Sequence, residues 1–199
     1  MEMKLSKENN SCAWHKQKDF MMKYHDEEWG VPCYDDKKHF EFLILESAQA
    51  GLSWETILKR RSGYKKAFAN FNPKKVAQFD KRKVEELLQD VGIIRNRLKI
   101  EAAINNASRF LEIQKEFGSF TNYIWSFNEG KPVINKFNST KELPATSSLS
   151  DLVSKDMKKR GLKFVGSTII YAHLQATGLI NDHEVSCFRY KEVQKLYRN

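Results

Sequence analysis

Apolar positions along this chain recur at three- and four-residue intervals, separated by residues that start or stop helices. Asp35 or Asp36 can cap a helix that runs to about Ala50 and ends at Gly51. Ser53 can cap the next, SWETILKRR, and Asn72 followed by Pro73 pairs a cap with a first-turn proline. Asp80 opens DKRKVEELLQDVG, whose spacing puts Val84, Leu87, Leu88 and Val91 on one face. A long helical pattern covers about 96–117 and stops at Gly118. Ser119 can then cap a short helix that carries Tyr123 and Trp125. Helical spacing returns at about 150–160, stopped by Gly161, and at 167–177, stopped by Gly178. No segment sustains the two-residue alternation of a strand, so the expected fold is all-α and compact.

The stretch 128–149 breaks this pattern. It holds Gly130, Pro132, Pro144 and several Ser and Thr, and reads as a surface excursion or as a joint between helical lobes. There is no internal repeat and no low-complexity tract.

Composition narrows the class. A chain of 199 residues that is 41% apolar and 30% charged can build its own core. No apolar run approaches membrane-spanning length, and the opening MEMKLSKENNS lacks the apolar stretch of a signal peptide. The expectation is a polar lead-in over 1–11, one domain over 12–190 and a polar basic tail over 191–199, in the cytoplasm and off the membrane. Lys and Arg number 34 against 25 Asp and Glu, a formal charge of +9. Such a surface favours polyanions, nucleic acid first; a protein that is merely basic is the bland alternative.

Three cysteines, Cys12, Cys33 and Cys187, are an odd and widely spaced set, poor for a disulfide framework. In DHEVSC, His183 and Cys187 stand four apart, which on a helix places them one turn apart on one face and makes half of a zinc site. Near the other end, CAWHKQKDFMMKYHDEEWG offers Cys12 and His25, with His15 as a competitor. Two ligands from each end would make a closed structural site that clips the termini together on one side of the fold. Each pair alone reads equally well as buried core.

One more residue stands out on its own chemistry. Glu46 lies in FEFLILESAQAG, a carboxylate on an otherwise apolar helix. It is either exposed at one edge or buried with a partner, and a salt bridge to a nearby Lys or Arg is the plain expectation.

YHDEEWGVP (24–32) and LESAQAGLSWETILKRR (45–61), read together, resemble the 3-methyladenine DNA glycosylase I family. VGIIRNRLKI (91–100), YIWSF (123–127), KKRGLKFVGSTIIY (158–171) and GLINDH (178–183) follow in the family's order and spacing, so the resemblance covers about 12–187. It implies a helix-hairpin-helix glycosylase, a monomer that acts on double-stranded alkylated DNA and hydrolytically releases N3-methyladenine. It implies a structural Zn2+ on Cys12, His25, His183 and Cys187, with His15 and Cys33 as bystanders. It makes Glu46 the residue that receives the base and Tyr24, Trp54 and Trp14 the walls and anchors of the pocket.

Chemistry agrees with that assignment. Adenine alkylated at N3 is cationic, and a desolvated carboxylate prefers it to the neutral normal base. A cationic base is also a good leaving group. The aspartate that many helix-hairpin-helix enzymes place after the hairpin is missing here, with no aspartate between Asp90 and Asp151. The hairpin falls at 91–95, where Gly92 would let the backbone approach a phosphate and Arg95, Arg97 and Lys99 would add charge. Leu52, ending QAGL, would wedge into the space left by the extracted base. One position departs from the family: Met21 stands where a tyrosine is usual, and it offers adaptable packing without a hydroxyl. Two other readings remain open at this point. One is a non-catalytic DNA-binding module, with Met21 marking decay of the pocket. The other is a zinc-clipped helical protein that binds a protein partner.

Overall fold

The computed structural model describes residues 11–15 and 18–198, so the opening stretch 1–10 lies outside the described residues. Among the described residues eleven α-helices follow one another: α1 (Asp19–Glu27), α2 (Asp36–Gln49), α3 (Trp54–Leu58), α4 (Arg61–Ala67), α5 (Pro73–Val76), α6 (Lys81–Gln89), α7 (Arg97–Phe117), α8 (Phe120–Ser126), α9 (Ser148–Lys159), α10 (Ser167–Ala176) and α11 (Phe188–Gln194). The caps are those the sequence offers, with Asn96 in addition. Side chains of Asp35, Ser53, Asn72, Asp80, Asn96 and Ser119 each accept a backbone N–H in the first turn of the helix that follows.

Helix α2 is the centre of the molecule. Phe40, Phe42, Leu43, Ile44, Leu45 and Ala48 are all buried, so the helix is covered on nearly every side, which is why its sequence reads as an apolar run rather than a stripe. Helices α7, α8 and α10 pack against it, and α9 packs on α10. Asp36 locks its start: the carboxylate accepts from Gln114 Nε2 (2.6 Å), the Phe120 and Thr121 amides and the Thr121 hydroxyl (2.8 Å each). Beside this main core lies a second, smaller cluster of Cys12, Tyr24, Trp29, Phe42, Ala176 and Cys187.

The expected all-α class holds, since helices dominate the described residues, and three details are corrected. The fold has one short strand pair: β1 (Val133–Ile134) runs parallel to β2 (Ile180–Asn181). A pair two residues long has no alternation to read. Val91 is 77% exposed, because α6 ends at Gln89 and its apolar face ends with it. The stretch after 190 is more than a polar tail, since α11 continues to Gln194 and Val193 is fully buried.

A histidine pair makes the core acid-sensitive. His39 Nδ1 and His173 Nε2 lie 3.3 Å apart, both fully buried, and the other His39 nitrogen meets the Cys33 carbonyl at 3.1 Å. Burial pushes His39 down to about 4, and pushes His173 well below its ordinary range, where the neighbouring His39 pushes it further. The unfolded chain therefore binds protons that the folded one refuses. The stability contributed is complete above the unfolded value of 6.5 and is lost as pH falls toward 4. We expect a lower denaturant midpoint at pH 5 than at pH 7.5, with a smaller difference in a His39→Asn variant. An equal acid loss in that variant would assign it to other groups.

Candidate functional site

The C-terminal end of α2 carries Glu46. Among the described residues it has no hydrogen-bond or ion-pair partner, although it is only 3% exposed. The salt bridge that a buried glutamate ordinarily demands is absent. Burial alone lifts its pKa to about 8. The carboxyl borders a cavity of about 200 Å3 lined also by Trp14, Tyr24, Trp29, Gln49, Trp54, Thr140, Leu143, Ala172 and Gln175.

The walls are aromatic and rigid. Trp54 follows the Ser53 cap at the first position of α3, with its ring centroid 5.3 Å from Tyr24 and 6.4 Å from Phe42, against which it stacks. Trp14, on a short 3-10 turn, packs edge-on to Trp29 at 5.1 Å and to Tyr24 at 6.2 Å. The indole N–H groups of Trp14 and Trp54 are buried and lack a protein acceptor. Burial and the Glu46 charge hold the Tyr24 phenol well above its usual range, so it stays a neutral donor. The cavity is thus apolar on its faces and polar at a few points, the pattern of a pocket for a flat ring.

A second hollow of about 220 Å3 shares Glu46, Gln49 and Ala172 with the first and opens past Gly51, Leu52, Thr168 and Ile169. Leu52 lines this hollow and is 40% exposed. A larger groove of about 890 Å3 includes Phe42 in its lining, but its main charges neutralise one another: Arg61 holds Glu28 (2.6 Å) and Glu41 (2.7 Å).

The sequence expectations divide here. Trp14, Tyr24, Glu46 and Trp54 meet in one pocket. Met21 is buried on α1 but is not among the lining residues. Gln49, Trp29, Thr140, Leu143 and Gln175 were not foreseen. Gln49 carried a signal, since it stands one helical turn after Glu46. Thr140 and Leu143 carried none: they lie in the irregular excursion, where Glu184 accepts from both the Thr140 amide (3.0 Å) and its hydroxyl.

The hairpin between α6 and α7 is present, with two corrections. Gly92 is a packing glycine. A Cβ on its neighbour Gly63 would meet Gly92 O at 2.2 Å, and one on Gly92 would meet Gly63 Cα at 3.3 Å. The Gly92 amide donates to Asp90 (2.7 Å) and the Ile94 amide to the Tyr64 hydroxyl (3.2 Å). Nor are all the cations free. Arg97 pairs with Glu85 at 2.8 Å, and Lys99 donates to the carbonyls of Ala48 (2.8 Å) and Ala50 (2.7 Å). Arg95 remains exposed. Lys99 thereby caps the end of the helix that holds Glu46, where cations favour the dipole. Lys99→Ala should cost about 1–3 kcal/mol, whereas Arg97→Ala should leave the denaturation midpoint unchanged. Equal midpoints for both variants would refute the cap.

Across the second core cluster, Cys12, His25, His183 and Cys187 converge, all buried, with one donor atom from each within 4.8 Å of the others. His183 Nδ1 lies 3.2 Å from His25 Nε2, 3.6 Å from Cys12 Sγ and 3.7 Å from Cys187 Sγ; Cys187 Sγ lies 3.5 Å from His25 Nε2. A tetrahedral zinc with bonds of about 2.0–2.3 Å spaces its donors by about 3.3–3.8 Å. The outer nitrogens are engaged: His25 Nδ1 meets Asp26 at 2.7 Å and His183 Nε2 meets the Trp29 carbonyl at 3.0 Å, which turns the remaining lone pairs inward. The Cys12 hydrogen bond and the two imidazoles pull the Cys187 thiol toward thiolate, while the same pairing raises Cys12. Gly30 is obligatory beside the cluster, with φ +77° and His183 Nε2 2.8 Å from where a Cβ would sit. His15 and Cys33 lie outside the four. One premise changes: His183 and Cys187 meet through a turn, closed by Cys187 N to Glu184 O (2.8 Å), and α11 begins only at Phe188.

A family model described as methyladenine glycosylase matches residues 14–190. The chain is 48% identical to DNA-3-methyladenine glycosylase 1 of Escherichia coli (strain K12), covering 90% of this chain and 96% of that protein. It is 41% identical to DNA-3-methyladenine glycosylase of Haemophilus influenzae (strain ATCC 51907 / DSM 11121 / KW20 / Rd), covering 88% and 95%. Its structure is similar to that of a 3-methyladenine DNA glycosylase I variant in complex with 3-methyladenine, with a TM-score of 0.87 at 37% identity over 90% of this chain and 96% of that one.

Proposed function

The chain belongs to the methyladenine glycosylase family, and we propose on that premise that it flips N3-methyladenine out of alkylated double-stranded DNA and hydrolyses its bond to the sugar. The observation that carries this reading is the unpaired, buried Glu46 carboxyl at the edge of an aromatic cavity. A flat cationic ring supplies what that pocket lacks: a positive charge for Glu46 and faces for Trp54 and Trp14 to pack on. Normal adenine, being neutral, would leave the carboxylate buried and unpaired.

The chemistry then needs little more. When the glycosidic bond breaks, its electron pair goes to the base and cancels the base's positive charge. The sugar cation left behind is captured by water, which gives up a proton. Glu46 favours the cationic base in the pocket, Tyr24 donates as a neutral phenol, and Leu52 holds the gap in the duplex. Arg95 supplies charge toward the backbone. The assembled walls favour this enzyme over a decayed DNA-binding module.

Cys12, His25, His183 and Cys187 fit a zinc ion, and four protein donors leave no open position, so its role is structural. The protein acts as a monomer in the cytoplasm, and no helix among the described residues is long and apolar enough to cross a membrane. The test is base release from methylated duplex DNA, followed by chromatography. Release of 3-methyladenine with little 7-methylguanine is expected. Folded, DNA-binding protein that releases neither base would overturn the reading. Met21→Tyr should change the release rate little, because Met21 lies off the pocket lining.

A further inference from the structure

We propose that Gln175 is a specificity-determining residue, its side-chain carbonyl selecting a 6-amino over a 6-oxo purine, and that buried Asp182 is the positioning residue that sets its orientation. The proposal rests on the base-release reading above and assigns a residue to it.

Gln175 sits in the last turn of α10 and lines the same cavity as Glu46. Its Nε2 donates to Asp182 Oδ2 at 2.7 Å. Asp182 is 2% exposed and does not line the cavity. Its other contacts complete it as an acceptor: Asn135 Nδ2 donates to Oδ1 at 2.7 Å, and the Tyr171 hydroxyl donates to Oδ2. A carboxylate accepts and an amide NH2 donates, so the amide has one favourable orientation, with the NH2 toward Asp182. The Gln175 side-chain carbonyl oxygen then meets no protein donor among the described residues, the Nε2 bond to Asp182 being the side chain's one hydrogen bond there. The backbone around it is fixed as well, since the Gln175 carbonyl accepts from the Gly30 amide at 3.1 Å.

The consequence is a cavity in which the Glu46 carboxyl is joined by an amide carbonyl whose orientation is fixed, that of Gln175. An exocyclic amine at position 6 offers two N–H donors to such a pair. A 6-oxo group offers only lone pairs, and meeting an acceptor it would lose its hydrogen bond to water without replacement. Charge alone does not make this distinction. Guanines methylated at N3 or N7 are also cationic in DNA, and Glu46 would welcome them on that ground. Gln175 adds the hydrogen-bond filter that charge cannot.

The experiment compares binding of free 3-methyladenine and 3-methylhypoxanthine, which differ at position 6, through quenching of the pocket tryptophans. Base release from methylated DNA is measured in parallel. The variants are Gln175→Met, which keeps length and removes the acceptor, and Asp182→Asn, which removes the demand for a donor. Wild type should prefer the amino base, and Gln175→Met should lose at least about tenfold of that preference. Asp182→Asn should weaken the preference with intact near-ultraviolet dichroism, since the amide can then turn over. Gln175→Met with the wild-type preference would overturn the proposal and leave the glycosylase reading standing. Wild type that neither binds the amino base nor releases it from DNA would overturn both.

Discussion

Glu46→Gln should reduce release of 3-methyladenine by about a hundredfold, the size expected when a buried charge contact is removed from a bound cation. The fold should become more stable at the same time. The carboxyl is buried without a partner, so every carboxylate formed in the folded state carries a desolvation cost that the neutral amide avoids. Its pKa is about 8 when folded against 4.5 in the unfolded chain. A raised acid favours the folded state below the unfolded value, and that contribution is lost as pH rises from 4.5 through 8. The stability gain of the variant should therefore grow over that range and reach at most about 4–5 kcal/mol near pH 8, less where water enters the pocket.

Activity should run the other way with pH. The N3-methylated base carries its charge without a proton, so the pH dependence in this scheme comes from Glu46. For wild type, kcat/KM should rise with pH and level off above about 8, where the carboxylate is already formed before the base arrives. Glu46→Gln should be slow and flat across the same range. Single-turnover release at several pH values, with melting curves beside them, checks both statements. A variant that is no slower, or that keeps the wild-type pH rise, would remove Glu46 from base recognition.

Glu46 also shows how far the sequence can be read. Its neighbours Phe42, Leu43, Ile44 and Leu45 left two readings, a carboxyl exposed at one edge or one buried with a counter-ion, and the structure shows neither: it is buried and no partner meets it. The missing partner is a property of the pocket, and a pocket is made by elements far apart in the chain. The helix caps were legible because each is a local contact within three residues. The convergence of Cys12, His25, His183 and Cys187 was legible through the family resemblance, since spacing alone left burial as an equal reading, and the proximity of His183 and Cys187 rests on a turn held at Glu184 rather than on helical spacing. Lys99 misled because a lysine beside a hairpin looks free for phosphate. Only the three-dimensional approach of α7 to the end of α2 gives it two carbonyls. Thr140, Leu143 and Gln175 were invisible for the same reason: nothing local marks a residue that is useful only because of what faces it.

Cys187→Ser should release the metal and lower the melting temperature steeply. Closing the chain from residue 12 to residue 187 removes unfolded-state entropy worth about 5 kcal/mol in the loop-closure picture. For a chain of this size that corresponds to about 10–20 °C. Metal content and calorimetry read the effect, and a chelator should shift wild type toward the variant while leaving the variant unchanged. Cys33→Ser is the control, because Cys33 lies outside the cluster and should keep both metal and melting temperature. The loss should also reach the pocket. Trp14 follows Cys12 by two residues on a single short turn, and its ring packs on His25 at 5.5 Å and on Trp29, whose carbonyl holds His183. Freed from the metal, that wall should loosen while Glu46 and Trp54, anchored on α2 and α3, stay in place. KM for methylated DNA should then rise more than kcat falls. A Cys187→Ser protein with full metal content would refute the ligand set. One that loses metal yet keeps its KM would confine the clip to stability and detach it from the pocket.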